Sequence, residues 1–140
     1  MVRKATEEDI SLIGGLMAAL WPHHMAEEMA EEASEILTDS NAAIFLAGDA
    51  GFAQCGLRHD YVEGTESSPV GYLEGIYVRP EYRSQGLARE LLAACENWAK
   101  EKGCREFASD CELDNTQSLE FHLKTGFQEA NRIICFTKNL

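Results

Sequence analysis

The sequence predicts an α/β (α+β) protein built on a mixed central sheet. Strand-like and helix-like segments interleave along 140 residues, and a tight hairpin signal coexists with long helical connections. The first calls for antiparallel neighbours and the second permits parallel ones. The length suits a single domain, 1–140, with enough chain to bury a core.

The elements follow in order. Val2 to Ala5 is a short apolar-polar run that fits a first strand. Thr6-Glu7-Glu8-Asp9 has capping-box spacing, with Asp9 in place of the usual Glu. Ile10, Ile13, Leu16, Met17 and Leu20 then recur at helical spacing, and Trp21-Pro22-His23-His24 breaks the helix. Met25 to Leu37 predicts a second helix, whose Glu27, Glu31 and Glu35 form an acidic i, i+4 stripe. That stripe is either a solvated face or a rim beside a cationic ligand. Ala42 to Ala47 and Phe52 to Arg58 predict two strands around a Gly48-Asp49-Ala50-Gly51 turn. Asp60 to Pro69 is a polar, acidic loop. Tyr72 to Val78 is the next strand, ended by Arg79-Pro80. A helix is predicted from about Ser84 to Lys102, with Leu87, Leu91, Leu92, Cys95, Trp98 and Ala99 at core spacing and Gly103 as its stop. Cys104 to Ser109 predicts a strand ending at Asp110. Asn115 or Asp114 caps a helix to about Lys124, Gly126 stops it, and Ile133 to Thr137 predicts a last strand.

Composition narrows the function. The net charge is −12, with only 12 Lys and Arg residues. This argues against nucleic acid and anionic membrane surfaces, and it permits steering of a cationic partner. No apolar run is long enough to span a membrane. The N-terminus lacks the apolar core of a secretory signal. Five cysteines, an odd number with no C-x-x-C pair, argue against a zinc site or a disulfide framework and fit reduced thiols in the cytoplasm. No metal is expected.

The segment Arg83-Ser84-Gln85-Gly86-Leu87-Ala88 lies between a β-rich run and a helix. A helix start offers unpaired N–H groups and a positive dipole end to a phosphate. Gly86 and Ala88 keep that approach bare, and Arg83 adds a cation. A Rossmann fingerprint and a Walker loop are both absent, leaving an R-x-x-G-x-A pattern after a strand.

The run Ile76-Tyr77-Val78-Arg79-Pro80-Glu81-Tyr82-Arg83-Ser84-Gln85-Gly86-Leu87-Ala88 with Leu91-Leu92 resembles the acetyl-CoA motif of the GNAT N-acetyltransferases. Asn115, Ser118, Phe121, Gly126 and Phe127 match that family's second helix-and-strand motif, and the element order matches throughout. Trp21-Pro22, Arg58-His59-Asp60-Tyr61-Val62, Ser67-Ser68-Pro69-Val70, Leu73-Glu74-Gly75-Ile76, Gly103-Cys104-Arg105-Glu106 and Ala108-Ser109-Asp110 are similar to the bacterial aminoglycoside 6′-N-acetyltransferases. The resemblance implies a GNAT fold, a mixed central sheet flanked by helices. It also implies acetyl-CoA as donor, a cationic aminoglycoside or another amine as acceptor, and a homodimer in which Ile133 to Thr137 crosses between subunits.

It implies site residues as well. Backbone N–H groups from Gln85 to Arg89, with Arg83 and Ser84, would hold the pyrophosphate. Ile76, Tyr77 and Val78 would line the pantetheine path, in a gap between their strand and the one ending at Asp110. The Val78 N–H would polarise the thioester carbonyl.

Strand alternation puts Glu74, Ile76 and Val78 on one face, which makes Glu74 the first candidate to deprotonate or position the amine; a structural ion pair is the alternative. Asp110 either binds a substrate ammonium or caps a turn. Where many family members carry a tyrosine taken to protonate the leaving thiolate, this chain has His122, an acid or a lining residue of the donor groove. Asn115 binds pantetheine or caps its helix. Trp21 stacks on the acceptor or packs in the core. Asn131 sits where some aminoglycoside acetyltransferases place an acidic substrate contact. Tyr61, Glu63 and Glu66 rim the acceptor site or belong to a solvated loop. Transfer is expected to be direct, in a ternary complex, because no cysteine lies in a nucleophile motif. Two other classes fit the same residues: an acetyltransferase for another small or protein amine, and a non-catalytic acyl-CoA-binding protein.

Overall fold

A computed structural model describes residues 1–140. Its elements are β1 (Val2–Lys4), α1 (Ile10–Leu20), α2 (Ala26–Leu37), β2 (Ala42–Ala47), β3 (Gly51–Arg58), β4 (Val70–Val78), α3 (Leu87–Glu101), β5 (Phe107–Ala108) and α4 (Thr116–Lys124). The strands form one five-stranded sheet in the order β1-β2-β3-β4-β5. The first four are antiparallel neighbours, and β4 and β5 run parallel. The sheet is therefore mixed, and the α3 crossover supplies its single parallel step.

Helices cover both faces. On one side Ile13, Leu16 and Met17 of α1 and Met29 and Ala33 of α2 pack on Ile44, Leu46 and Phe52. A β-carbon on Gly14 would lie 2.6 Å from the Ala26 carbonyl oxygen, so Gly14 sets how closely α1 and α2 approach. On the other side Leu91, Leu92, Cys95, Trp98 and Ala99 of α3 cover Ala53, Cys55, Leu73 and Val78. Cys55, Cys95 and Cys104 are buried, whereas Cys111 and Cys135 are exposed.

Several elements depart from the sequence prediction, and β4 begins at Val70 rather than Tyr72 because Val70 and Gly71 pair with Arg58 and Leu57 of β3. Helix α3 starts at Leu87 rather than Ser84, because Ser84 (φ 66°) and Gly86 (φ 83°) are left-handed and cannot continue a right-handed helix. Strand β5 keeps only Phe107 and Ala108, since it leaves β4 after the pairs Gly71–Phe107 and Tyr72–Ala108. The strand predicted over Ile133–Thr137 does not form within the chain. Strand geometry needs a partner ladder. Here the preceding residues run along the Asp60–Pro69 loop, where Asn131 donates to Glu63 (3.2 Å), rather than along β5.

Candidate active site

A β-bulge at Glu74 organises the site. Residues 75–78 of β4 pair with residues 54–51 of β3, but the next pair is Leu73–Cys55, so Glu74 is the extra residue. Before the bulge Gly71 N–H donates to Glu106 O of the β5 side, and after it Arg79 N–H donates to Ala50 O of the β3 side. Ladder alternation then turns the N–H and C=O groups of Ile76 and Val78 away from β3. No strand meets them there, because β5 has already diverged. A slot edged by free backbone donors opens between the two strands.

The bulge also reassigns the faces. Leu73 and Val78, with Ile76 against them, pack under α3. Glu74 points to the opposite face, where it pairs with Arg58, and Gly75 follows it there against the Trp21 ring. The simple alternation that would place Glu74 with Ile76 and Val78 fails at the extra residue. The slot therefore has two sides: Glu74 lies on the α1 side, and Ile76 and Val78 point their side chains toward α3.

On the Glu74 side the charged groups form one chain. Arg58 donates from Nη2 to Glu74 Oε1 (2.9 Å) and from Nε to Oε2 (3.3 Å). Its guanidinium lies 3.5 Å from the centroid of the Tyr72 ring. The Tyr72 hydroxyl donates to Asp110 Oδ2. Burial first, then this bond and the Asp110 charge, hold the Tyr72 phenol above its ordinary range, so it stays a donor. Glu74 and Asp110 are thus brought together through Arg58 and Tyr72. Trp21, at the end of α1, closes the same side. A β-carbon on Gly75 would come within 2.8 Å of its ring, and it meets Phe52 edge-on at 6.2 Å.

The Asp60–Pro69 loop borders this side. Val62 is buried and anchors it. Glu106, next to β5, accepts from the Ser67 hydroxyl (2.5 Å) and the Glu66 N–H (2.8 Å), and these bonds hold its carboxyl below the usual range. Tyr61 is 76% exposed at the loop surface. Asn131 reaches the loop through its bond to Glu63.

At the far end of β4 the turn into α3 is exposed from Arg83 to Gly86. Gly86 is the residue before α3, and a β-carbon there would meet nothing within 4 Å, so the space in front of the helix start is open. The start of α3 leaves backbone N–H groups without intrahelical partners facing that open space, as an anion site requires. Leu87, Ala88 and Arg89 form the first turn of α3. Arg83 is less free than the sequence implied, because its Nε donates to Val78 O (2.7 Å), which ties the turn to the strand end.

Helix α4 faces the slot from the α3 side. Asn115 accepts from Ser118 N–H (3.1 Å), so its side-chain oxygen serves as the cap. His122 Nδ1 lies 2.7 Å from Ser118 O, and Nε2 lies 2.8 Å from Ser109 Oγ. Its ring packs on Phe127 at 4.9 Å. Sequence reasoning did not single out Arg58, Tyr72 or Ser109 as site residues. Arg58 and Tyr72 meet only through the β3–β4 register, and Ser109 meets His122 only after α4 folds back.

The arrangement suits an extended chain ending in an activated carbonyl, laid in the slot with its anionic end at α3, and a cationic acceptor on the carboxylate side. Residues 8–127 match the acetyltransferase (GNAT) family. The chain is 44% identical over 140 residues to an aminoglycoside N(6′)-acetyltransferase type 1 of Stenotrophomonas maltophilia, covering 96% of this chain and 90% of that protein. It is 42% identical to the protein of the same name from Salmonella enteritidis, covering 98% and 97% of the two. Its fold is similar to that of AAC(6′)-Iy in complex with the bisubstrate analogue CoA-S-monomethyl-acetylneamine, with a TM-score of 0.94, 40% identity, and 100% and 98% of the two chains covered.

Proposed function

The chain belongs to the GNAT acetyltransferase family, and we propose that it transfers acetyl from acetyl-CoA to the 6′-amine of aminoglycosides. The observation that carries the reading is the bulged β4 strand, with free backbone donors on its edge and a joined carboxylate pair on its α1 side. The relatives at about 40% identity, named for this activity and matched over nearly the whole chain, support the acceptor class. Acetylation turns an ammonium into a neutral amide and so removes a charge the antibiotic uses, which is the chemical basis for resistance.

In this mechanism the diphosphate of CoA lies on the N–H groups from Gln85 to Arg89 at the start of α3, with Arg83 and Ser84 shaping the turn. Pantetheine runs along Ile76, Tyr77 and Val78, and Asn115 borders its path. One of the free N–H groups of the β4 edge, Ile76 or Val78, donates to the thioester oxygen as it becomes an oxyanion, an effect worth about 3 kcal/mol for one well-placed donor. The acceptor enters on the Trp21 side. Glu74 receives the reacting amine and orients it or takes its proton, Asp110 holds a second ammonium, and Tyr61 and Asn131 line the rim. The amine attacks directly while both substrates are bound. His122 supplies the proton for the thiolate. The net charge of −12 favours the approach of a polycation. The enzyme works in the cytoplasm, where acetyl-CoA is available, and as a homodimer. The dimer covers Ile133, Ile134 and Phe136, which are 70, 80 and 87% exposed in one chain.

The test is CoA release from acetyl-CoA across 6′-amino aminoglycosides, a 6′-hydroxyl analogue, polyamines and basic peptides. Turnover confined to the 6′-amines is expected. Equal turnover of the 6′-hydroxyl analogue would remove the 6′ assignment, and turnover of peptides alone would move the acceptor class. Glu74→Gln and Asp110→Asn should each lower kcat/KM by more than about tenfold, the loss of one charged contact of about 1.4 kcal/mol. Unchanged kinetics would return both residues to structural roles.

A further inference from the structure

Ser109 lies one residue past the last β4–β5 pair, where the slot opens. Faces alternate along this segment. Phe107 packs toward Phe127 of the α4 side, and Ala108 packs toward Tyr72. Ser109 returns to the α4 side and meets His122, and Asp110 returns to Tyr72. The carboxylates and the Ser109–His122 pair thus stand on opposite sides of one slot. We propose that Ser109 passes the proton from His122 to the departing thiolate. The proposal rests on the acetyl-transfer reading above.

Hydrogen-bond inventory fixes the direction. The Ser118 carbonyl oxygen only accepts, so His122 Nδ1, 2.7 Å away, carries its hydrogen in both charge states. Only Nε2 gains and loses a proton, and its partner at 2.8 Å is the Ser109 hydroxyl. With the ring neutral, Ser109 donates to Nε2. With the ring protonated, Nε2–H donates to Ser109 Oγ, and the serine's own hydrogen is free for an acceptor in the slot. As the C–S bond breaks, its electron pair goes to sulfur and the oxyanion pair re-forms the carbonyl. Sulfur takes the Ser109 hydroxyl proton, Oγ takes the Nε2 proton, and the imidazolium becomes neutral. The products are the amide and the free thiol. The ammonium gives up two protons on the Glu74 side, which pass to solvent, and one proton taken back from solvent by Nε2 restores the imidazolium, so the net release is one proton.

The test is a double-mutant cycle on the full chain. Ser109→Ala should lower kcat at least about 100-fold, the lower end of general-acid contributions, with the KM for acetyl-CoA changed less than about twofold. Ser109→Thr keeps a hydroxyl and should retain kcat within about threefold. Ser109→Ala combined with His122→Gln should cost little more than either change alone, because both interrupt one relay. An unchanged kcat in Ser109→Ala, a Thr variant as slow as the Ala variant, or fully additive losses would overturn the relay. A wild-type protein that acetylates no amine would defeat the functional reading separately. The relay is then judged by the 15N resonance of His122 Nε2, which must shift in Ser109→Ala; no shift overturns it.

Discussion

At Glu74 a single guanidinium engages both carboxylate oxygens, and the same guanidinium rests on the ring that donates to Asp110. Arg58 therefore sets the spacing of two carboxylates that share no backbone contact. The pair is partly exposed, at 44% and 31% for the two side chains, so its worth is about 1 kcal/mol. Arg58→Met keeps an unbranched apolar side chain and removes both the fork to Glu74 and the cation over Tyr72. The expected outcome is a rise of about fivefold in the acceptor KM, equivalent to that energy, with the acetyl-CoA KM unchanged. Steady-state kinetics with each substrate varied in turn measures this, and a rise in the acetyl-CoA KM instead would place Arg58 in the donor groove. Glu74 stood out in the sequence as a carboxylate inside a strand, set by simple alternation with Ile76 and Val78, and Asp110 as a carboxylate at a strand end. Arg58 did not, because a charge at a strand end is ordinary until the register places Tyr72 and Glu74 beside it.

Elements add constraints of their own. The start of α1 is held by Asp9, which accepts from Arg3 Nη2 (2.7 Å), Arg3 Nη1 (2.8 Å) and Thr6 N–H (2.8 Å). The Arg3 hydrogen bonds first, then the Thr6 N–H, hold its carboxyl far below the usual range, against the pull of burial. A depressed folded-state pKa contributes stability that is complete above the ordinary carboxylate value and is lost as pH falls through the folded value. Thermal melts should show the wild type losing stability below about pH 4. Asp9→Asn should lower Tm by about 3 °C at pH 7 and flatten the acid slope. A variant that keeps the wild-type slope would refute this assignment. The capping spacing from Thr6 to Asp9 was visible in the sequence, whereas the Arg3 bond depends on β1 lying beside the helix start. The β4 bulge was hidden for a similar reason. The extra residue exists only relative to β3, so the sequence of Tyr72–Val78 does not place it.

For the whole molecule, charge and the C-terminal tail set the next test. Residues 128–140 form no helix or strand within one chain, and their large apolar side chains Ile133, Ile134 and Phe136 are exposed. Chains ended after residue 127, or carrying Ile134→Asp, should shift from dimer to monomer in sedimentation analysis. A wild-type monomer at micromolar concentration would end the homodimer reading. The sequence by itself determined the order of elements as far as α4, the turn before α3 and the donor class, because these rest on local periodicity, glycine placement and short motifs. Tertiary structure alone decided the side of the slot on which Glu74 acts, its link through Arg58 and Tyr72 to Asp110, and the contact of His122 with Ser109. Each depends on which strand lies beside which and at what offset, and that information is set by packing between residues far apart in the chain.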